Sequence, residues 1–133
     1  MIYLLDTNVC VTYLRGRDAR LIQNVQARQL GELRLCAVVL AELYYGAAMS
    51  NQPQANKAKV EVFVRRFVSV PFDAAADRFG DIRAHLAKLG TPIGPYDLMI
   101  AATALVNSLT LVTHNIREFS RVQGLNLVDW QMP

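Results

Sequence analysis

The chain has 133 residues, of which 53% are hydrophobic and 19% charged, and its formal net charge at pH 7 is +3. This length suits one compact domain spanning residues 1–133, and no second core is needed. The apolar stretches are too short or too interrupted to cross a bilayer and the first residues lack a charged signal region, so we expect a soluble cytoplasmic protein.

The composition also bears on partners and on redox chemistry. The apolar fraction exceeds what a monomer needs, which favours an obligate dimer or a bound partner segment. Eleven of the 14 basic residues are arginine, whose planar guanidinium fits phosphate; the charge indicates either a polyanionic partner such as RNA or ordinary solubility. Cys10 and Cys36 lie in apolar runs without metal-ligand spacing, which predicts packed thiols.

Apolar strand-like runs alternate with helical patterns along the whole chain. Strands are predicted at 2–5, 33–37, 68–72, 110–112 and 125–128, the last at a sheet edge. Helices are predicted at 9–14, 19–29, 38–49, 54–67, 73–89 and 96–107, with a turn or short helix at 116–119. Asp73 is predicted to cap the fifth helix. This alternation predicts an α/β fold with a central parallel sheet of four to five strands flanked by helices.

Four acids occupy positions where a carboxylate is costly. Asp6, Glu42, Asp97 and Glu118 lie at the ends of apolar strand-like runs or within apolar helical runs. A buried negative charge needs a cation or hydrogen-bond donors, so acids converging from distant segments predict a metal site. Oxygen ligands without a Cys or His cluster favour Mg²⁺ or Mn²⁺ over zinc. The other seven acids, including Asp129, are interpreted as ordinary surface.

The ends of the first and fourth strands are expected to meet. Asp6 closes the first strand, and His114 and Asn115 follow the fourth. Because chemistry in an open parallel sheet gathers at the carboxyl ends of the strands, we expect these residues to face one crevice. A simpler explanation stays open for each of them: Asp6 as a helix cap, His114 and Asn115 as turn formers.

The remaining acids have simpler explanations as well. Asp97 lies in the first turn of a predicted helix, and capping that helix could be its whole role. Glu42 could be neutralised by a buried arginine. Glu118 could form a surface ion pair with Arg117 or Arg121. Only contacts between distant segments distinguish these explanations from a metal site.

Successive blocks of the sequence resemble those of a known family. The blocks are Leu4-Leu5-Asp6-Thr7-Asn8, Ala41-Glu42-Leu43-Tyr44-Tyr45-Gly46, Gly90-Thr91-Pro92-Ile93-Gly94-Pro95-Tyr96-Asp97 and Leu111-Val112-Thr113-His114-Asn115-Ile116-Arg117-Glu118-Phe119, followed by Asp129-Trp130. In this order and at these separations they are similar to the blocks of PIN-domain ribonucleases, specifically VapC-type toxins of bacterial toxin-antitoxin pairs. The resemblance runs essentially from end to end of the chain.

The resemblance implies an endoribonuclease that depends on one or two Mg²⁺ or Mn²⁺ ions. It also implies a homodimer, an RNA target that is often tRNA, and inhibition by a VapB-type antitoxin whose C-terminal segment lies in the groove leading to the acids. The family's acids correspond to Asp6, Glu42 and Asp97. Where many members have a further Asp, this chain has Asn115, with Glu118 one turn later.

The implied mechanism is in-line attack of water on the scissile phosphate, with the metal stabilising the leaving 3′ oxygen. Asp6 and Asp97 would be the main ligands, and Glu42 a ligand or the residue that orients the water. Glu118, the fourth catalytic acid, and Asn115 would form the outer or second-metal set. Hydrogen bonds that orient the acids are expected from Thr7, Asn8 and Thr113, with Asn115 as a further supporting residue. Candidate phosphate contacts are Arg15, Arg17, Arg117 and Arg121.

Two alternatives remain open. An Asp at the end of the first strand is also where phosphoaspartyl phosphatases hold their nucleophile, but the chain has no D-x-D pattern at Asp6 and no suitable late lysine. The other alternative is a catalytically weak PIN domain that binds RNA or protein, because Asn115 contributes no charge to a metal site.

Overall fold

A five-stranded parallel sheet forms the centre of the molecule, in a computed structural model that describes residues 1–133. The strands are β1 (Tyr3–Leu5), β2 (Leu33–Cys36), β3 (Val68–Val70), β4 (Thr110–Val112) and β5 (Leu127–Val128). Their order across the sheet is β3-β2-β1-β4-β5, and every pairing is parallel. The predicted α/β fold is confirmed, with the fifth strand at an edge.

Seven helices connect and flank the strands. They are α1 (Thr7–Arg15), α2 (Ala19–Gln26), α3 (Ala37–Ala48), α4 (Pro53–Val64), α5 (Ala76–Leu89), α6 (Pro95–Val106) and α7 (Ile116–Phe119). The predicted cap at Asp73 is wrong: Asp73 begins a short 3₁₀ turn, and α5 starts at Ala76 without a side-chain cap. The backbone of Phe72 is already helical, so the chain enters this turn without an extended capping residue. None of the helices combines the length and apolar character needed to span a membrane.

The central strands are buried on both faces. In β1, β2 and β4 the residues with at most 1% of their surface exposed are Leu4, Leu5, Leu33, Leu35, Cys36, Leu111 and Val112. Such continuous apolar strands are typical of a parallel sheet covered by helices on both sides. Cys36 and Cys10 are buried and free, which confirms them as packed thiols.

The order of the strands reverses at β1, because the chain builds β2 and β3 on one side and then places β4 and β5 on the other. Leu5 pairs with Val112, and the Asp6 backbone N–H donates to the Val112 carbonyl at 3.1 Å. A crevice forms where the carboxyl ends of such strands diverge. Helices α1 and α3 begin directly after β1 and β2, and α6 returns toward β4, so the first turns of all three lie at this edge.

The C-terminal segment is held by an aromatic and cationic stack. The buried Trp130 ring lies 4.8 Å from the Tyr3 ring, centroid to centroid, and the Arg28 guanidinium carbon lies 4.3 Å from the Trp130 centroid. The Asn24 side chain donates to the Trp130 carbonyl at 3.0 Å. Burial of the indole and the cation–π contact both stabilise this end of the chain.

We expect Trp130→Ala to lower the free energy of unfolding by about 3 to 5 kcal/mol, because it removes a large buried ring from this stack. Urea unfolding followed by circular dichroism measures the change. Leu89→Ala is the control, since Leu89 is exposed and its truncation should change stability by less than about 0.5 kcal/mol. Equal stability of the two variants would contradict the anchoring role of Trp130.

Candidate functional site

Asp6 is a buried carboxylate at the carboxyl end of β1. Its Oδ1 accepts the Val9 N–H at 2.8 Å, so Asp6 does cap α1, as the simpler explanation held. Burial raises the pKa of Asp6; hydrogen bonds from the Thr113 hydroxyl and the Val9 N–H oppose the rise, and the negative charges of Glu42 and Asp129 add to it. The side chain therefore caps a helix and also lies in the field of other acids.

Asp97 is half-buried in the first turn of α6. Gly94 occupies the N-cap position and no side chain caps the helix, so the capping explanation is wrong for Asp97. Burial raises the pKa of Asp97 to about 6, and the negative charges of Glu118, Asp6 and Glu42 contribute to the rise. Three acids from other segments therefore lie close enough to act on Asp97.

Glu42 projects from the second turn of α3. Its Oε1 accepts a hydrogen bond from the Thr7 hydroxyl at 2.6 Å. This contact agrees with the predicted hydrogen bond between Thr7 and one of the acids. No arginine pairs with it: the one arginine–carboxylate ion pair in the chain joins Arg65 to Glu61. The buried-arginine explanation for Glu42 is therefore wrong.

Glu118 belongs to α7 and hydrogen-bonds to the loop that precedes α6, the helix that carries Asp97. Its Oε1 accepts the Gly94 N–H at 3.3 Å, and its Oε2 accepts the Asn115 side-chain amide at 3.1 Å. Arg121 instead donates to the Pro92 carbonyl at 3.0 Å, from the same loop. The surface ion pair is therefore wrong as an explanation for Glu118, and both Glu118 and Arg121 hold the loop before α6.

Asp129 joins this end of the sheet, although its position near the C-terminus indicated ordinary surface. Its side chain is only 12% exposed, and its Oδ2 lies 2.9 Å from Nδ1 of His114. Its charge also acts on Asp6. One signal could have identified it: Asp129 directly follows a parallel strand, as Asp6 does.

A polar cavity of about 300 Å³ opens beside Asp6. Its lining residues are Asp6, Asn8, Thr12, His114, Asn115 and Gln131. The expected crevice between the ends of β1 and β4 is therefore present. The Asn115 N–H also donates to the Thr113 hydroxyl at 3.0 Å, so a turn and a site wall are built from the same residues. Asn8 is exposed at the cavity and its side chain hydrogen-bonds to none of the acids, contrary to its predicted orienting role.

The predicted phosphate-binding arginines differ in their positions. Arg15 borders a cavity of about 360 Å³ whose lining includes Glu42 and Lys59. Arg15 and Arg17 together border a second cavity beyond the end of α1. Arg117 is exposed on α7 and forms no ion pair. Arg15 therefore lines a cavity together with one of the acids, Glu42.

The donor set fits a hydrated hard cation and does not form a closed cage. The acids supply only oxygen donors, and no lysine or arginine neutralises Asp6, Glu42, Asp97 or Glu118. No three His, Cys, Asp or Glu side chains are grouped closely enough to hold an ion by themselves. Mg²⁺ usually keeps several waters and uses only one or two carboxylates, so the arrangement suits Mg²⁺ or Mn²⁺ better than an ion that needs a complete protein shell.

Comparison with known proteins gives one consistent result. The model of the PIN domain family matches residues 3–125. The tRNA(fMet)-specific endonuclease VapC of Shigella flexneri is 43% identical over 96% of this chain and 97% of its own, and Ribonuclease VapC2 of Rickettsia felis is 36% identical over 98% of each.

Solved structures agree with the sequence comparison. DNA-bound VapBC from Salmonella typhimurium superposes with a TM-score of 0.91, at 38% identity and 98% coverage of both chains. VapBC2 from Rickettsia felis, bound to a promoter DNA fragment, gives 0.88 at 35% identity, over 98% of this chain and 99% of its own. The chain therefore belongs to the PIN domain family, among the VapC ribonucleases.

Proposed function

We propose that this PIN domain is a Mg²⁺- or Mn²⁺-dependent endoribonuclease that hydrolyses phosphodiester bonds of tRNA. The observation that carries the proposal is electrostatic: burial and the charges of Glu118, Asp6 and Glu42 raise the pKa of Asp97 to about 6, and no lysine or arginine forms an ion pair with these acids. Uncompensated, partly buried acids are typical of sites that take a cation or handle protons. Membership of the VapC ribonucleases supports the same activity.

Each acid has a distinct part in this proposal. Asp6 and Asp97 are the principal ligands of one or two ions, and Glu42, held by Thr7, is a ligand or orients the attacking water. When bound, the ions supply Lewis-acid stabilisation of phosphate charge and lower the pKa of the attacking water. Glu118 positions Asp97 by fixing the loop at Gly94. Asn115 holds Glu118 through its amide.

The proposed partners follow from the relatives. One is named a tRNA(fMet)-specific endonuclease, and solved structures are of VapBC complexes. We therefore propose tRNA as the substrate, with tRNA(fMet) the first to test, and a VapB-type antitoxin as the inhibitor. We also propose that the protein is a homodimer and that it acts in the cytoplasm, where tRNA functions.

A catalytically weak RNA- or protein-binding PIN domain is the second candidate. It is favoured by the lack of a group of three acids that would hold an ion unaided, and by the neutral Asn115. Titration of the protein with Mn²⁺ in a calorimeter separates the two candidates, since only the nuclease requires a bound ion. The aspartyl phosphatase finds no support in the family to which the chain belongs.

We expect Asp6→Asn and Asp97→Asn each to lower the RNA cleavage rate at least about 100-fold, because each removes a negative charge that holds the metal. Asn retains the capping bond to Val9, so Asp6→Asn should not unfold α1. Cleavage of labelled tRNA in Mg²⁺, with and without a chelator, measures the effect. The control is Asp77→Asn, which removes an exposed acid from α5 and should leave the rate unchanged. Wild-type cleavage by either site variant would refute the assignment.

Stability should depend on pH through Asp97. Its pKa is about 6 in the folded protein against an ordinary 3.8, so its ionisation penalises the folded state as pH rises from about 4 to 6. Asp97→Asn removes this penalty and should stabilise the metal-free protein at pH 7.5 by about 1 to 2 kcal/mol, allowing for solvent screening. At pH 4 the two proteins should be equally stable. Urea unfolding in a chelator at both pH values measures the two free energies of unfolding. A difference between variant and wild type that does not change with pH would exclude the ionisation of Asp97 as its cause.

Purified protein with Mg²⁺ should cut tRNA(fMet) faster than an elongator tRNA of similar length. Its relative from Shigella flexneri, at 43% identity, is named for that tRNA. Sequencing the 5′ ends of fragments made after brief induction identifies the target and the cut site. Fragments that map mainly to messenger or ribosomal RNA would replace the proposed substrate without affecting the nuclease assignment.

A further inference from the structure

An aromatic cavity of about 520 Å³ lies beside the acids. It is lined by Val38, Ala41, Glu42, Tyr45 and Tyr96, of which Glu42 is the only charged residue. Tyr45 is 68% exposed and Tyr96 60% exposed. Neither ring belongs to any of the four aromatic pairs in the chain. Two large rings are therefore presented to solvent at one cavity, which their own packing does not explain.

The two tyrosines are coupled to the acids by helix geometry. Tyr45 follows Glu42 by three residues on α3, so both side chains lie on one helix face. Tyr96 immediately precedes Asp97 in the first turn of α6, and α3 and α6 pack against each other. A strand whose phosphate lies beside Glu42 can therefore reach both rings.

We propose that Tyr45 and Tyr96 form a base-binding subsite, in which an unpaired nucleobase next to the cleaved bond of the RNA packs against the tyrosine rings. This inference rests on the proposed nuclease function. Sequence-specific RNA recognition mostly uses unstacked bases of loops and ends, which stack on aromatic side chains. Every base has a π-face, so two exposed tyrosines suffice for a base without a dedicated hydrogen-bonding pocket.

The charged residues of two cavities that share Glu42 favour a nucleic acid strand over an apolar peptide. Glu42 lines the aromatic cavity and also the neighbouring cavity of about 360 Å³, whose wall includes Arg15 and Lys59. Cations thus flank the acid on one side and aromatic rings on the other. Phosphates and bases recur along RNA with the same alternation of charge and apolar surface, and cationic grooves with aromatic platforms are typical of single-strand binding.

The first experiment compares cleavage kinetics. Tyr45→Ala and Tyr96→Ala should each lower kcat/KM about 5- to 30-fold, mainly through KM, because one stacking contact is lost. The Phe variants keep the ring and should stay within about threefold of wild type. Met49→Ala is the matched control: Met49 directly follows α3, is 69% exposed and does not line the cavity. Ala variants that cleave as fast as wild type would overturn the subsite and leave the nuclease assignment intact.

The second experiment is independent of catalysis. Oligoribonucleotides spanning the cut site carry 2-aminopurine beside the cleaved bond, and the protein is kept in a chelator. Binding of wild type should quench the fluorescence by stacking, and either Ala variant should restore it. An abasic nucleotide at that position should abolish the difference in affinity between wild type and the Ala variants.

The outcomes separate the subsite from the nuclease. If wild type cuts no RNA, the proposed function fails, and quenching of a single-stranded oligoribonucleotide that carries 2-aminopurine at its centre decides whether the tyrosines bind a base. Unchanged quenching in both Ala variants overturns the subsite. Ala variants that cut and quench normally but escape inhibition by a VapB-type antitoxin would assign the cavity to a peptide, which also overturns the proposal.

Discussion

The burial of uncompensated acids close to one another is the constraint on which the rest of this structure depends. Burial raises the pKa of Asp97, the negative charges of Glu118, Asp6 and Glu42 add to the rise, and no arginine or lysine forms an ion pair with these acids. Separate segments would move apart under the repulsion between these charges if nothing opposed it. The buried parallel sheet opposes it, because the apolar core fixes the segments at its carboxyl edge.

Hydrogen bonds make this arrangement tolerable without cancelling its charge. The Val9 N–H and the Thr113 hydroxyl donate hydrogen bonds to Asp6, and the Thr7 hydroxyl donates one to Glu42. The first turns of α1 and α6 add the positive ends of their dipoles at the same edge. Such donors lower the cost of each carboxylate, yet the pKa values of Asp6 and Asp97 stay raised. A divalent cation would compensate the remaining negative charge of these acids. The same charge therefore lowers the stability of the metal-free protein and supports the proposed catalysis.

The sequence predicted these acids because their cost is visible locally. A carboxylate is costly within Val38-Val39-Leu40-Ala41-Glu42-Leu43 or at the end of an apolar strand. In the structure the charges of Glu118, Asp6 and Glu42 all act on Asp97. The same reasoning missed Asp129, because it lies near the C-terminus after a predicted edge strand and was interpreted as ordinary surface, although it directly follows that strand as Asp6 follows β1. It also assigned Asn8 an orienting bond that the side chain does not form. A local sequence pattern predicts whether a position is buried, but it does not predict which distant residue the side chain contacts.

The amino-acid order alone determined the alternation of strands and helices, the parallel sheet and the identity of the unusual acids, because periodicity and burial preference are properties of neighbouring residues. Only tertiary structure decided that Asp129 meets His114, that Glu118 fastens Gly94, and that two tyrosines share a cavity. Those contacts depend on which strand lies beside which and on how helices cross. The physical reason is that such choices are made by the packing of the whole core, over separations that no local pattern spans.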